Sequence, residues 1–271
     1  MKQYIVDAFT KEPFKGNPAA VCVMDTWPTD DFMMNLAAEN NLSETAFIVK
    51  ETEGYHLRWF TPGTEVEICG HATLASAFVI LNYYDTNADE VKFKTLSGEL
   101  IVRKNGEMLE MDFPTYELKE IPVTDAMAQA FGVRPIKAVL GLDLICVFEE
   151  EAQVRSMAPD QKLLMSIEGR IQNATARGSI TDCVSRSFCP KLSISEDPVC
   201  GSAHCQIADY WASVLGKDEI YAYQASARGG YLKCRLLGNN RIAISGDATL
   251  ISISEFQFMA LIGVRRDRPC H

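Results

Sequence analysis

Cysteine, histidine and paired acidic residues recur around one short pattern that the chain uses twice. In the first half, Arg58-Trp59-Phe60-Thr61-Pro62 leads through Glu65 and Glu67 to Cys69-Gly70-His71-Ala72. In the second, Arg186-Ser187-Phe188-Cys189-Pro190 leads through Glu196 and Asp197 to Cys200-Gly201-Ser202-Ala203. Each copy reads as strand, acidic loop, helix. A helix start carries N–H groups without intrahelical acceptors and the positive end of the helix dipole, so both Cys-Gly steps favour anions. Gly70 and Gly201 let that backbone approach a ligand carboxylate with no Cβ in between. Thiol, imidazole and carboxylate are groups that take up and return protons. Two similar sets of them point to an active site between two pseudo-equivalent halves.

The elements around this pattern can be read from periodicity. Strands are expected at residues 4–9 and 19–23, joined through Pro13 and Gly16-Asn17-Pro18, and again at 46–49, 55–60, 91–95, 99–102 and 108–113. A helix follows Pro28-Thr29-Asp30-Asp31 and stops at Asn40-Asn41. The helix after Gly70 is apolar on nearly every side, which is what a helix wrapped by sheet shows. The character changes between Pro114 and Pro122, which places a boundary there. The second half repeats the recipe: a helix from Thr124 to Gly132, strands near 136–140, 144–148, 174, 183–188, 220–224, 230–236 and 241–245, and helices at 160–167 and from Ser202 to Gly216. The expected organisation is thus residues 1–116, residues 117–258 and a tail over 259–271.

The chain has 271 residues, 47% of them apolar, and a net charge of −10. That length suits two domains of about 100–150 residues. The acidic balance, without Lys/Arg clusters, argues against nucleic acid as a partner. The longest apolar run, near 77–81, is too short for a membrane span, and no signal-peptide pattern opens the chain, so a cytoplasmic protein without a membrane partner is expected. Nine cysteines in this setting are read as free thiols. With four histidines and no HExxH or CxxC spacing, no metal site is expected.

Six stretches in register resemble the phenazine-biosynthesis PhzF-like family: Val6-Asp7-Ala8-Phe9 with Pro13-Phe14-Lys15-Gly16-Asn17-Pro18-Ala19-Ala20-Val21; Asn41-Leu42-Ser43-Glu44-Thr45-Ala46-Phe47; the first Arg-x-Phe-x-Pro; Cys69-Gly70-His71-Ala72-Thr73-Leu74-Ala75; Asp197-Pro198 with Gly201-Ser202-Ala203-His204; and Arg228-Gly229-Gly230. The tail from about Glu255 onward falls outside the resemblance. It implies an α+β, diaminopimelate epimerase-like fold of two similar domains, each a mixed sheet or barrel rolled around a central helix. It also implies a cofactor-free isomerase with its site between the domains and a small carboxylate substrate. By residue-for-residue transfer Glu44 is the carboxylate that moves a proton at carbon, and His71, Asp197 and Ser202 hold the substrate and assist. A homodimer is expected on the same ground.

Read alone, each residue has a plainer role. Asp197-Pro198 reads as a turn, Ser202 as a cap, and Asn17 as a turn residue or a cleft lining. Arg228-Gly229-Gly230 reads as a turn rather than a clamp. His71, inside a helix start, is expected to be neutral. Cys69 and Cys200 stand where racemases and epimerases of this fold carry two catalytic thiols, and a thiol at a helix N-terminus can have a lowered pKa. A two-thiol amino-acid racemase or epimerase is therefore one alternative. A non-catalytic small-molecule binding or interaction protein is another.

Overall fold

The computed structural model describes residues 1–256, so the expected tail over 259–271 lies outside the described residues. In chain order the first half comprises β1 (Lys2–Ala8), β2 (Asn17–Met24), α1 (Asp30–Asn40), β3 (Glu44–Lys50), β4 (Tyr55–Phe60), β5 (Glu65–Val66), α2 (Gly70–Tyr83), β6 (Glu90–Thr95), β7 (Gly98–Asn105) and β8 (Met108–Pro114). There follow β9 (Lys119–Ile121), α3 (Asp125–Phe131), β10 (Lys137–Leu140), β11 (Leu144–Val147), α4 (Glu151–Ser156), α5 (Gln161–Leu164), β12 (Gln172–Arg177) and β13 (Cys183–Cys189). The chain continues through β14 (Ile194–Asp197), α6 (Gly201–Leu215), β15 (Glu219–Gln224), β16 (Gly230–Gly238), β17 (Arg241–Gly246) and β18 (Ala248–Glu255).

The duplication visible in the motifs is also a duplication of pairing. In the first half β1–β2 is antiparallel, β2–β3 parallel, β3–β4 antiparallel, β4–β6 parallel, and β6–β7 and β7–β8 antiparallel. The second half repeats this order of senses in β10–β11, β11–β12, β12–β13, β13–β15, β15–β16 and β16–β17. Two ladders join the halves: β8 with β17, and β1 with β18. The last strand is thus hydrogen-bonded to the first, although the boundary expected at 116/117 groups it with the second half. None of its residues is buried and its partner lies at the opposite end of the described chain, so no local signal marks it.

Each half wraps its sheet around one helix. Ten of the residues of α2 are buried, from His71 to Leu81, and α6 buries Gly201, Ala203 to Ala208, Trp211 and Ala212. Both helices contribute to one continuous apolar cluster with the inner faces of the strands. The peripheral helices start conventionally: Thr29, Thr124 and Asp160 each accept a backbone N–H at the starts of α1, α3 and α5. The central helices do not. Cys69 and Cys200 precede α2 and α6 without any side-chain cap, so the N–H groups of both first turns have no side-chain acceptor from the cap.

The expected strands and the two long helices are present. Sequence reading overextends α5, expected over 160–167, and misses α4, β5, β9, β14 and β18, β5 and β14 lying where acidic loops were expected. The described cysteines are all free and buried. No helix among the described residues is long and apolar enough to cross a membrane.

Candidate active site

Glu44 opens β3. Asn41, in the left-handed conformation at φ 48°, ends α1 and turns the chain into that strand. Parallel pairing with β2 sets Glu44 opposite Ala19. Its Oε2 lies 3.2 Å from His71 Nε2, and both side chains are nearly enclosed, at 13% and 7% exposure. The contact is not a charged pair, because burial lowers the His71 imidazole to about 3 and leaves it neutral. Burial also pushes the Glu44 carboxyl up to about 7, the Asp197 charge adds to the rise, and a contact with the Cys69 thiol opposes it. His71 Nδ1 is 3.5 Å from Cys69 Sγ.

Asp197 ends β14, opposite Ser187 of β13. Asn17, from the first half, donates Nδ2 to Asp197 Oδ1 at 2.7 Å and to the Val199 carbonyl at 3.0 Å. Burial pushes Asp197 up to about 6, against the opposing effect of donors from Cys200, Val199 and Asn17. The Cys200 thiol sits 3.4 Å from Ser202 Oγ, and its backbone N–H donates to Gln224 Oε1 at 2.8 Å. Both thiols are pushed well above their usual range, by burial first and then by the neighbouring carboxylates. Desolvation therefore outweighs the lowering expected from a helix start.

The two helix starts face each other. A Cβ built on Gly70 would lie 3.9 Å from Gly201 Cα and 3.8 Å from the Phe113 ring, and one on Gly201 would lie 3.7 Å from the Phe9 ring. These are ordinary contacts, so the glycines avoid no clash within the chain; their methyls would instead fill space between the helices. Phe9 holds its wall position at φ 64°, a strained conformation for an aromatic residue. Glu44 Oε2, His71 Nε2 and Asn17 Oδ1 are buried with no well-directed hydrogen-bond partner. Buried polar atoms of this kind are costly unless a ligand completes them. Donor atoms of Glu44, Cys69 and His71 lie within 4.8 Å of one another, which makes them the described residues able to hold a metal ion.

All nine residues singled out in the sequence therefore line or flank this junction: Asn17, Glu44, Cys69, Gly70, His71, Asp197, Cys200, Gly201 and Ser202. Other motif residues do structural work. Arg58 grips Glu65 through two bonds of 2.7 Å, and Arg186 grips Glu196 in the same way at 2.7 and 2.8 Å. Of the four loop acids, Glu65 and Glu196 are thus a structural pair, Glu67 is exposed, and Asp197 is the one desolvated at the junction. Arg228 is a clamp as well as part of a turn: it bonds Asp7 Oδ1 at 2.7 Å and the Gly16 and Lys15 carbonyls across the halves. Sequence reasoning passed over Gln224, Asp143, Arg170 and Gln206, which stand outside any motif. A concavity of about 700 Å³, lined by Tyr116, Lys137, Asp209 and Tyr210 among others, includes none of these nine residues.

A family model described as phenazine biosynthesis-like protein matches residues 6–253. An uncharacterized isomerase of Pseudomonas aeruginosa is 45% identical over 248 residues, covering 91% of this chain and 95% of that protein. The crystal structure of a PhzF-family phenazine biosynthesis protein from Enterococcus faecalis matches with a TM-score of 0.91 at 47% identity, covering 93% of this chain and 97% of that one. A P. aeruginosa protein described as a predicted epimerase shares the fold, with a TM-score of 0.73 at 18% identity over 94% and 99% of the two chains. The duplicated α+β architecture around two central helices is that of the diaminopimelate epimerase-like fold, and the chain belongs to the PhzF-like phenazine biosynthesis family.

Proposed function

We propose that this protein is an isomerase that moves a proton between carbon atoms of a small carboxylate-bearing substrate by general acid/base catalysis, in the cleft where the two helix starts meet and without a cofactor. One observation carries the reading: a buried carboxyl, Glu44, is poised near pH 7 against a neutral histidine. A general base works best with its pKa close to the working pH. The ionised carboxylate takes a proton from a C–H beside the substrate's acid group; the C–H bond breaks as the O–H bond of Glu44 forms. The electron pair spreads onto the substrate's oxygen, where a neutral His71 can donate its Nε2–H. Glu44 then returns the proton to another carbon, restoring its carboxylate. The relative in P. aeruginosa that bears the name isomerase supports the class of reaction.

The two-thiol alternative is disfavoured by the same physics. At neutral pH thiols held this far above their usual range stay protonated, and a neighbouring carboxylate adds to the rise at each. A two-fold dimer belongs to the proposal and is checked by sedimentation. The reaction is tested by proton NMR in D₂O with a panel of small amino and cyclic carboxylates, following exchange of a carbon-bound proton. Exchange lost in Glu44→Gln and kept in Cys200→Ser supports the proposal. Exchange lost in Cys200→Ser and kept in Glu44→Gln transfers the chemistry to the thiols. Ligand binding without exchange in the wild type points to a binding protein.

A further inference from the structure

The register of the two halves identifies counterparts residue by residue. Thr45 is opposite Phe60 in β3–β4, and Gln172 is opposite Phe188 in β12–β13. Phe60 and Phe188 close the two Arg-x-Phe motifs, so the counterpart of Glu44 is Ile171 and that of Ser43 is Arg170. Where the first half presents a carboxylate at the rim of its helix start, the second presents a guanidinium.

Arg170 is held for a purpose beyond charge balance. Asp143, fully buried, accepts its Nε at 3.1 Å and its Nη2 at 3.3 Å, together with the Ile171 N–H at 3.2 Å and Gln206 Nε2 at 2.9 Å. Four donors saturate that carboxylate and lock the guanidinium plane. The free edge turns toward the cleft: Nη2 also reaches Ser202 Oγ at 3.3 Å, in the first turn of α6. Nη1 has no acceptor among the described residues, and the side chain is 34% exposed. At the same helix start Asn17, itself completely buried, leaves Oδ1 without a donor, a second group awaiting a polar ligand.

We infer that Arg170 is a substrate-binding residue, which grips a carboxylate through its free N–H groups beside Ser202 and the first turn of α6 and so selects acids over neutral analogues. The inference rests on the proposed reaction only for which acid is bound. With its plane fixed in advance by Asp143, Arg170 pays little ordering entropy on binding, and its fork matches a carboxylate in a way that Lys does not.

The test is a ¹H–¹⁵N NMR titration of the full chain with cyclohex-1-ene-1-carboxylate and, separately, with the matching carboxamide. Wild type is expected to show saturable shifts at the Ser202 and Ala203 N–H groups with the carboxylate. Arg170→Gln should weaken that binding by about ten- to a hundredfold and leave the carboxamide unaffected, with Arg170→Lys in between. Binding is read without turnover, so a chain that holds the carboxylate through Arg170 but exchanges no carbon-bound proton sinks the isomerase reading and leaves this inference standing. Absence of saturable shifts in wild type, an unchanged Kd in Arg170→Gln, or equal weakening of both ligands would overturn it.

Discussion

At the start of α2 a carboxyl stands against an imidazole, whereas at the start of α6 a carboxyl stands with an amide, a hydroxyl and a guanidinium. Both sets are built on the same strand order and the same uncapped Cys-Gly step. The second half is therefore the better equipped to hold an anion and the first to move a proton. By register the two halves differ at Glu44/Ile171, His71/Ser202 and Val66/Asp197, the positions on which the proposed reaction rests.

The interiors diverge by an exchange of volume. In the first half the sheet supplies the bulk, with Trp59 and Leu57 buried beside a helix that carries Thr73 and Ser76. In the second the sheet is thin, with Ser185 and Ser187, and the helix supplies His204 and Trp211. Their polar ends are satisfied by Ser185 Oγ at 3.1 Å and Thr175 Oγ1 at 2.9 Å from His204 Nε2 and Trp211 Nε1. One function persists through the exchange: Thr73 Oγ1 donates to the Cys69 carbonyl at 2.5 Å, and His204 Nδ1 to the Cys200 carbonyl at 2.7 Å. Each central helix is thus pinned to its own start by the side chain four residues on.

The division of labour predicts that Glu44→Gln lowers the exchange rate by about 10² to 10⁴, while Cys200→Ser stays within about tenfold of wild type because its thiol is protonated throughout. Equal losses in steady-state kinetics would break the comparison. The volume exchange predicts a loss of about 3–5 kcal/mol for Trp59→Ala against less than about 1 kcal/mol for its counterpart Ser187→Ala. Ser187 Oγ is buried without a partner, so its removal strands nothing. Urea denaturation of the two variants reads the difference.

A smaller effect sharpens the electrostatic side. Glu44 titrates near its usual 4.5 when unfolded and at about 7 when folded. The folded state therefore holds a proton that the unfolded state has already released, and stability falls as pH rises from about 4.5 through about 7. The full penalty, on the order of 3 kcal/mol, applies above pH 7. Glu44→Gln escapes it, and should be the more stable protein at pH 8 but not at pH 4.5. The least of the four effects is a shift of the pH–rate profile. Activity in kcat/KM should rise with pH through an apparent pKa of about 7, as Glu44 ionises. Asp197→Asn, which removes a charge that raises the Glu44 pKa, should move that limb to lower pH. A limb that stays in place would show that the two carboxyls do not feel each other.

Much of this molecule was legible in its residues. The repeated Arg-x-Phe-x-Pro and Cys-Gly pattern announced two like halves, the all-apolar stretch after Gly70 announced a helix wrapped by sheet, and Glu44, His71, Asp197 and Ser202 stood in motifs whose residues lie around the two facing helix starts. Such features are local: periodicity, caps and turn residues act over a few positions, and a sequence displays them directly. What the tertiary structure alone decided is long-range. Pairing of β18 with β1 joins the two ends of the described chain, and Arg228 reaches Asp7 from the other half. The partition of the loop acids into grips for Arg58 and Arg186, an exposed Glu67 and a single desolvated carboxyl, Asp197, depends on which way the residues of β5 and β14 face. Asp143 and Arg170 belong to no pattern, because a half-buried ion pair needs only proximity in space. The charge states also come from folding: desolvation raises Glu44 and the thiols and lowers His71, and burial is a property of everything packed around a residue rather than of its neighbours in the chain.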